Sequence, residues 1–157
     1  MNYEFQALNS ALCRDWRDGS MDANGQSPER AVSDGGGNPC RHCLLDIAAN
    51  KAMLILAHRP FAHLNPYAEV GPIFICTECQ RHADSPELPP IIATRSRHLL
   101  KGYLKSDRIA YGTGAIVETD NIPSYLEKTF TDPNVAYVDV RSATNNCFTV
   151  RIARQIH

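Results

Sequence analysis

Two stretches, PCRHCLLDI and PIFICTECQR, each carry a pair of cysteines two residues apart: Cys40 with Cys43, and Cys76 with Cys79. This constrains the chain more than any other feature. A Cys-x2-Cys turn brings two thiolates to one side of a tight bend, where both reach a single ion at the ~2.3 Å zinc–sulfur distance. Two such turns complete a tetrahedron. The pairs are separated by 32 residues, more than in compact metal knuckles, and two strands fit between them. The chain can leave along one strand and return along another, as in a ribbon-like site. Zinc is the expected ion. A closed set of four thiolates leaves no position for water, so the site reads as structural. Three other readings stay open: buried cysteines acting as small hydrophobes, a dithiol redox pair, or an iron–sulfur cluster. Leu44 and Gln80 stand where such turns often carry glycine, which counts against a standard zinc knuckle.

At 157 residues the chain suits one domain. A core of that size folds without a metal staple. Sixteen basic and seventeen acidic residues leave a net charge of −1, so no global basic field exists for nucleic acid. The longest clean apolar run, AMLILA at 52–57, is far short of the ~20 residues a membrane-spanning helix needs. MNYEFQALNS has no basic flank before an apolar stretch and does not read as a secretory signal. A cytoplasmic protein with reduced cysteines is expected, which favours metal or catalysis over disulfides.

YEFQAL at 3–8 fits a short strand or the start of a helix running through Leu12 and Trp16. Residues 18–38 hold five of the nine glycines and read as a long loop. KAMLILAH (51–58) and IFIC (73–76) are short enough to be buried strands. SPELPP reads as a connector. HLLKGYLK (98–105) and RIAYGTGAIVE (108–118) read as strands. Asn121 is placed to cap a helix with an apolar stripe of Ile122, Tyr125, Leu126, Thr129 (through its methyl) and Phe130, ended by Asp132-Pro133. VAYVDVR (135–141) and CFTVRIA (147–153) form a hairpin. The fold class is α+β: a single domain over 1–157, mainly antiparallel with few helices. Residues 40–79 form a metal-site half and 98–154 a half of sheet and helix.

The hairpin offers a second candidate. Matching the faces of Val138 and Val140 to those of Phe148, Val150 and Ile152 pairs Val140 with Phe148. That leaves a loop of Ala143–Asn145 and sets Arg141 opposite Cys147, Asp139 opposite Thr149 and Tyr137 opposite Arg151. A guanidinium beside a thiol favours the thiolate. Cys147 is therefore a candidate nucleophile with Arg141 as activator or anion clamp, set against an ordinary sheet face carrying a cysteine. No general base is identifiable. Arg41 is a further anion-binding candidate. His42, His58, His63 and His82 lie near the cysteines, but each alone reads as a surface or core histidine. Cys13 has no role assigned.

At PCRHCL, PYAEVGPIFI and NCFTVRI the chain resembles an uncharacterised family, domain of unknown function 1203, from about Tyr3 to the C-terminus and including GQSPER at 25–30. The resemblance implies no established activity, so no catalytic residue carries over. It implies that relatives match Cys40, Cys43 and Cys79, and often place His where Cys76 stands, an exchange a zinc ligand tolerates. Some relatives lack the second cysteine of the first pair, so metal binding would belong to one branch. Together these readings point to a soluble zinc-binding protein with an unspecified protein or small-molecule partner. The alternatives are a small Cys147 enzyme and a dithiol redox protein.

Overall fold

A computed structural model describes residues 3–155. Period-two alternation builds the larger of its two antiparallel sheets. Strands β1 (Tyr3–Gln6), β5 (Arg97–Leu104), β6 (Ala115–Glu118), β7 (Val135–Ser142) and β8 (Phe148–Arg154) lie in the order β1-β8-β7-β5-β6. One face carries Leu100, Val138, Val140, Val150 and Ile152, all buried with Ile122 and Leu126 of helix α3 (Ile122–Thr129). The other face is polar. Asp139, fully buried, receives two hydrogen bonds from Arg151 at 2.8 and 2.9 Å. Burial pushes the Asp139 carboxyl up, and the Arg151 charge pulls it back.

The smaller sheet has β2 (Glu29–Val32), β3 (Ala52–His58) and β4 (Gly71–Cys76) in sequence order. Leu54, Leu56, Ile73 and Ile75 pack with Cys13 and Trp16 of helix α1 (Ser10–Arg17) and with Phe148 of the large sheet. Asn9 caps α1, its Oδ1 accepting from the Ala11 and Leu12 amides at 2.8 and 3.3 Å. Helix α2 (Pro90–Ala93) buries Ile91 and Ile92. The architecture is α+β, as expected, with three short helices and mostly antiparallel strands among the described residues. Among the described residues no helix is long and apolar enough to cross a membrane.

Several local expectations are corrected. YEFQAL is a strand that hands over to the Asn9-capped helix, so both options occur in succession. The 18–38 segment contains β2, and Asp22 Oδ2 accepts the Ala57 amide at 2.9 Å, tying the segment to β3. SPELPP runs into α2. RIAYGTGAIVE is a strand only from Ala115. Before that, Thr113 Oγ1 accepts the Gly102 amide at 2.8 Å, and a Cβ on Gly102 would sit 3.0 Å from that same oxygen. Asn121 makes no side-chain cap, because a 3-10 turn over Thr119–Asn121 already leads into α3.

The β7–β8 register differs by two residues from the one expected. Val140 pairs with Val150, Val138 with Ile152, Asp139 with Arg151 and Tyr137 with Ala153. A slip of two keeps every side chain on its face, so burial of the valines cannot choose between the registers. Two features favour the observed one: the buried Asp139–Arg151 pair, and a longer turn closed by Ser142 N to Cys147 O at 2.9 Å. Asn146 takes the left-handed conformation at φ 60°. The ladder shifts between Val140 and Arg141, so Arg141 stands across from Phe148 and not Cys147.

Candidate metal centre and the Cys147 hairpin

The first cysteine turn is a tight loop laid against the edge of β4. Arg41 N donates to Phe74 O at 3.1 Å, and Cys40 bridges Phe74 in parallel. The turn closes through Cys40 N to Leu45 O and Leu44 N to Cys40 O, at 2.9 and 3.0 Å. Leu44 takes φ 56°, the left-handed conformation that such turns usually give to glycine. For leucine this costs about 1–2 kcal/mol. Full burial of its side chain against the large-sheet core offsets that cost. Gln80 has no positive φ, so the second turn does not repeat the first.

Cys76 ends β4 and Cys79 follows in the next turn. The four sulfurs lie within 4.8 Å of one another. Cys40 and Cys79 are 3.8 Å apart, and Cys43 and Cys76 are 3.9 Å apart. A tetrahedron with ~2.3 Å metal–sulfur bonds has edges of about 3.8 Å. Both measured separations run between the two pairs and match such an edge. Cys40 is fully buried, and the other three are half-buried.

Sulfurs this close cannot all ionise without a cation. The Cys40 thiol is held far below its usual range, chiefly by hydrogen bonding from Cys43, then from Cys76 and Cys79. Cys76 and Cys79 are pushed far up, each chiefly by its hydrogen bond to Cys40. A divalent cation reverses that penalty and admits the remaining thiolates.

Supporting donors surround the cluster. Cys76 N donates to Cys40 Sγ at 3.3 Å. Arg17 Nη2 donates to Cys79 Sγ at 3.4 Å, and Arg17 Nε to Cys76 O at 3.0 Å. His42 Nδ1 lies 3.2 Å from Cys79 Sγ, while its Nε2 meets Ser10 Oγ at 2.9 Å. Burial, then the Arg17 charge, lowers the His42 pKa. Sequence reasoning missed Arg17 and Ser10. They lie on α1, distant in the chain from Cys79, and no local pattern announces them.

His58, His63 and His82 are not part of the four-sulfur cluster. His58 is buried edge-on to Trp16 and Phe148. His63 Nδ1 meets Asp107 Oδ2 at 2.9 Å, and His82 Nδ1 meets Ala83 O at 2.7 Å. Cys13 is buried on the inner face of α1, where burial pushes its thiol up to about 11.

At the second candidate, Cys147 is half-buried at the hairpin tip, and its thiol donates to Asn145 O at 3.7 Å. Two guanidiniums grip the chain on either side of it. Arg141 Nη1 donates to Asn146 O at 3.1 Å, and Arg41 Nε donates to Phe148 O at 2.8 Å. Arg141 also pairs with Glu69 at 3.2 Å. Arg141 and Cys147 line one cavity of about 180 Å³ with His58 and Glu69, although they are not cross-strand partners.

A family model described as "Protein of unknown function (DUF1203)" matches residues 37–154. The chain belongs to the DUF1203 family. The matched span holds all four clustered cysteines, Arg141 and Cys147. It leaves out β1, α1, β2 and GQSPER, so the DUF1203 match is shorter than the expected resemblance from Tyr3 onward. No curated protein and no solved structure matches this DUF1203 chain.

Proposed function

We propose that this DUF1203 protein binds one zinc ion through Cys40, Cys43, Cys76 and Cys79, and that the ion has a structural role. The observation that carries this reading is the pair of sulfur–sulfur distances, 3.8 and 3.9 Å, matching the edges of a zinc–thiolate tetrahedron. Four sulfurs within 4.8 Å suit one ion better than a cluster of several irons with bridging sulfides. Four thiolates fill the coordination sphere, so the ion has no position for substrate or water. A redox role is less well supported. Cys40 is inaccessible as an attacking thiol, and the Cys40–Cys43 turn does not open a helix.

The thiolates tie the 40–46 turn to the end of β4, and through it to the small sheet. All six cysteines are free, which suits a reducing compartment, the cytoplasm. Elemental analysis of protein purified without chelator, paired with a free-thiol count, tests the reading. One zinc per chain is expected, with four thiols becoming reactive only after chelation. No stoichiometric metal, or iron in its place, would reject it.

A further inference from the structure

A second cleft, of about 530 Å³, opens on the far side of Cys147. Its walls come from three places: the β7–β8 hairpin tip, the start of β5, and the first cysteine turn with Phe74 of β4. Three arginines line it, Arg41, Arg95 and Arg97, and no carboxylate does.

The three charges are not equally answered. Arg95 is paired with Asp46, through contacts at 2.7 and 3.2 Å. Arg97 is exposed, and among the described residues it makes no ion pair within 4.0 Å. Arg41 is only 3% exposed, yet it too has no carboxylate partner among the described residues. Its Nε and Nη1 donate to the Phe148 and Pro39 carbonyls at 2.8 and 2.6 Å, and its guanidinium lies 5.8 Å from the centre of the Phe74 ring. Its Nη2 makes no hydrogen bond among the described residues.

A buried cation is costly unless an opposite charge answers it. Here the direct contacts are neutral carbonyls and a ring face, and the opposite charges of Cys147, Cys40 and Asp46 act on Arg41 without a direct ion pair. Two carbonyl bonds fix the Arg41 plane, so its Nη2 donor is held in place before any ligand arrives. Ser142 and Thr149 line the same walls, and Phe74 and Pro72 add an apolar surface.

We propose that this cleft binds a small organic anion, with its carboxylate or phosphate on Arg41 and Arg97 and its apolar body against Phe74. The reactivity of Cys147 is not needed for this binding. The thiol is a wall of the cleft and serves as a reporter.

The test is an amide-resolved NMR titration of zinc-loaded full-length protein with phenyl phosphate and with benzoate. Sodium chloride holds ionic strength constant, and phenol is the uncharged control. At least one anion should give saturable shifts centred on Phe74, Arg97 and residues 142–148, and should slow alkylation of Cys147. Whichever anion does so identifies the favoured head group. Arg97→Met, at an exposed position, should weaken binding about tenfold, the worth of a charge-assisted hydrogen bond. Arg41→Met should weaken it at least as much if that variant folds. Absence of saturable shifts beyond those of phenol, or Arg97→Met binding unchanged, would overturn the proposal.

Discussion

The two sheets keep their shape by different means. The five-stranded sheet buries a continuous set of aliphatic side chains under α3, and its core contains no cysteine. The three-stranded sheet has a smaller aliphatic core, in which Cys13 and Cys40 are buried and Cys43, Cys76 and Cys79 pack at the edge. The first can stand on hydrophobic burial alone. The second finishes its core with sulfur, and the thiols at its edge repel one another once ionised unless a cation joins them. With a cation there, a chain long enough to fold without a staple would still depend on one locally.

The harshest way to break this comparison is Cys40→Ser. It removes the buried member of the four-sulfur cluster and should abolish stoichiometric zinc. A metal present at a thousandfold excess over its dissociation constant stabilises by about 4 kcal/mol, so a loss of that order is expected in denaturant melts. A metal-free variant with unchanged stability would show that the small sheet needs no ion.

Leu44→Ala comes next. Leu44 belongs to the metal turn by sequence but to the large-sheet core by packing, and its carbonyl accepts from Ile91 N at 3.1 Å. Truncating so buried a leucine should cost about 3 kcal/mol. Zinc stoichiometry should be retained, because the backbone bonds Cys40 N to Leu45 O and Leu44 N to Cys40 O still close the turn. Chemical denaturation and metal content read the two effects separately.

A smaller effect, about 2 kcal/mol at pH 5, is expected from His58 where the sheets meet. Burial, then the charges of Arg151 and Arg41, lower its pKa to about 4. The unfolded chain protonates this histidine near pH 6.5. Between those values the unfolded state binds more protons. The contribution is thus fully present above about pH 6.5 and is lost as pH falls towards 4. His58→Leu should flatten the wild-type stability slope over that window. Identical slopes in the two proteins would show that the histidine is not buried neutral.

Much of the layout was legible in the sequence because it rests on periodicity. The apolar alternation of 135–141 and 147–153 and the stripe from Ile122 to Phe130 each mark an element that the fold contains. The four cysteines were legible because spacing alone brings each pair together, and the strands between them return the second pair to the first. What escaped was set by contacts distant in sequence. The β7–β8 register turns on the Asp139–Arg151 pair, since either register satisfies the valines. RIAYGTG failed as a strand because Thr113 is drawn onto the Gly102 amide. The support of Cys79 by Arg17, and the two guanidiniums flanking Cys147, join residues with no common local motif.

Hydrogen exchange with and without chelator tests the contrast between the sheets most directly. Removing the ion should raise exchange across residues 40–79, above all at the Cys40, Leu44 and Cys76 amides, which are bonded within or around the cluster. Amides of β5, β7 and β8 should keep their protection, since they are laddered over an aliphatic core. Equal loss across both sheets, or no change in either, would contradict the account.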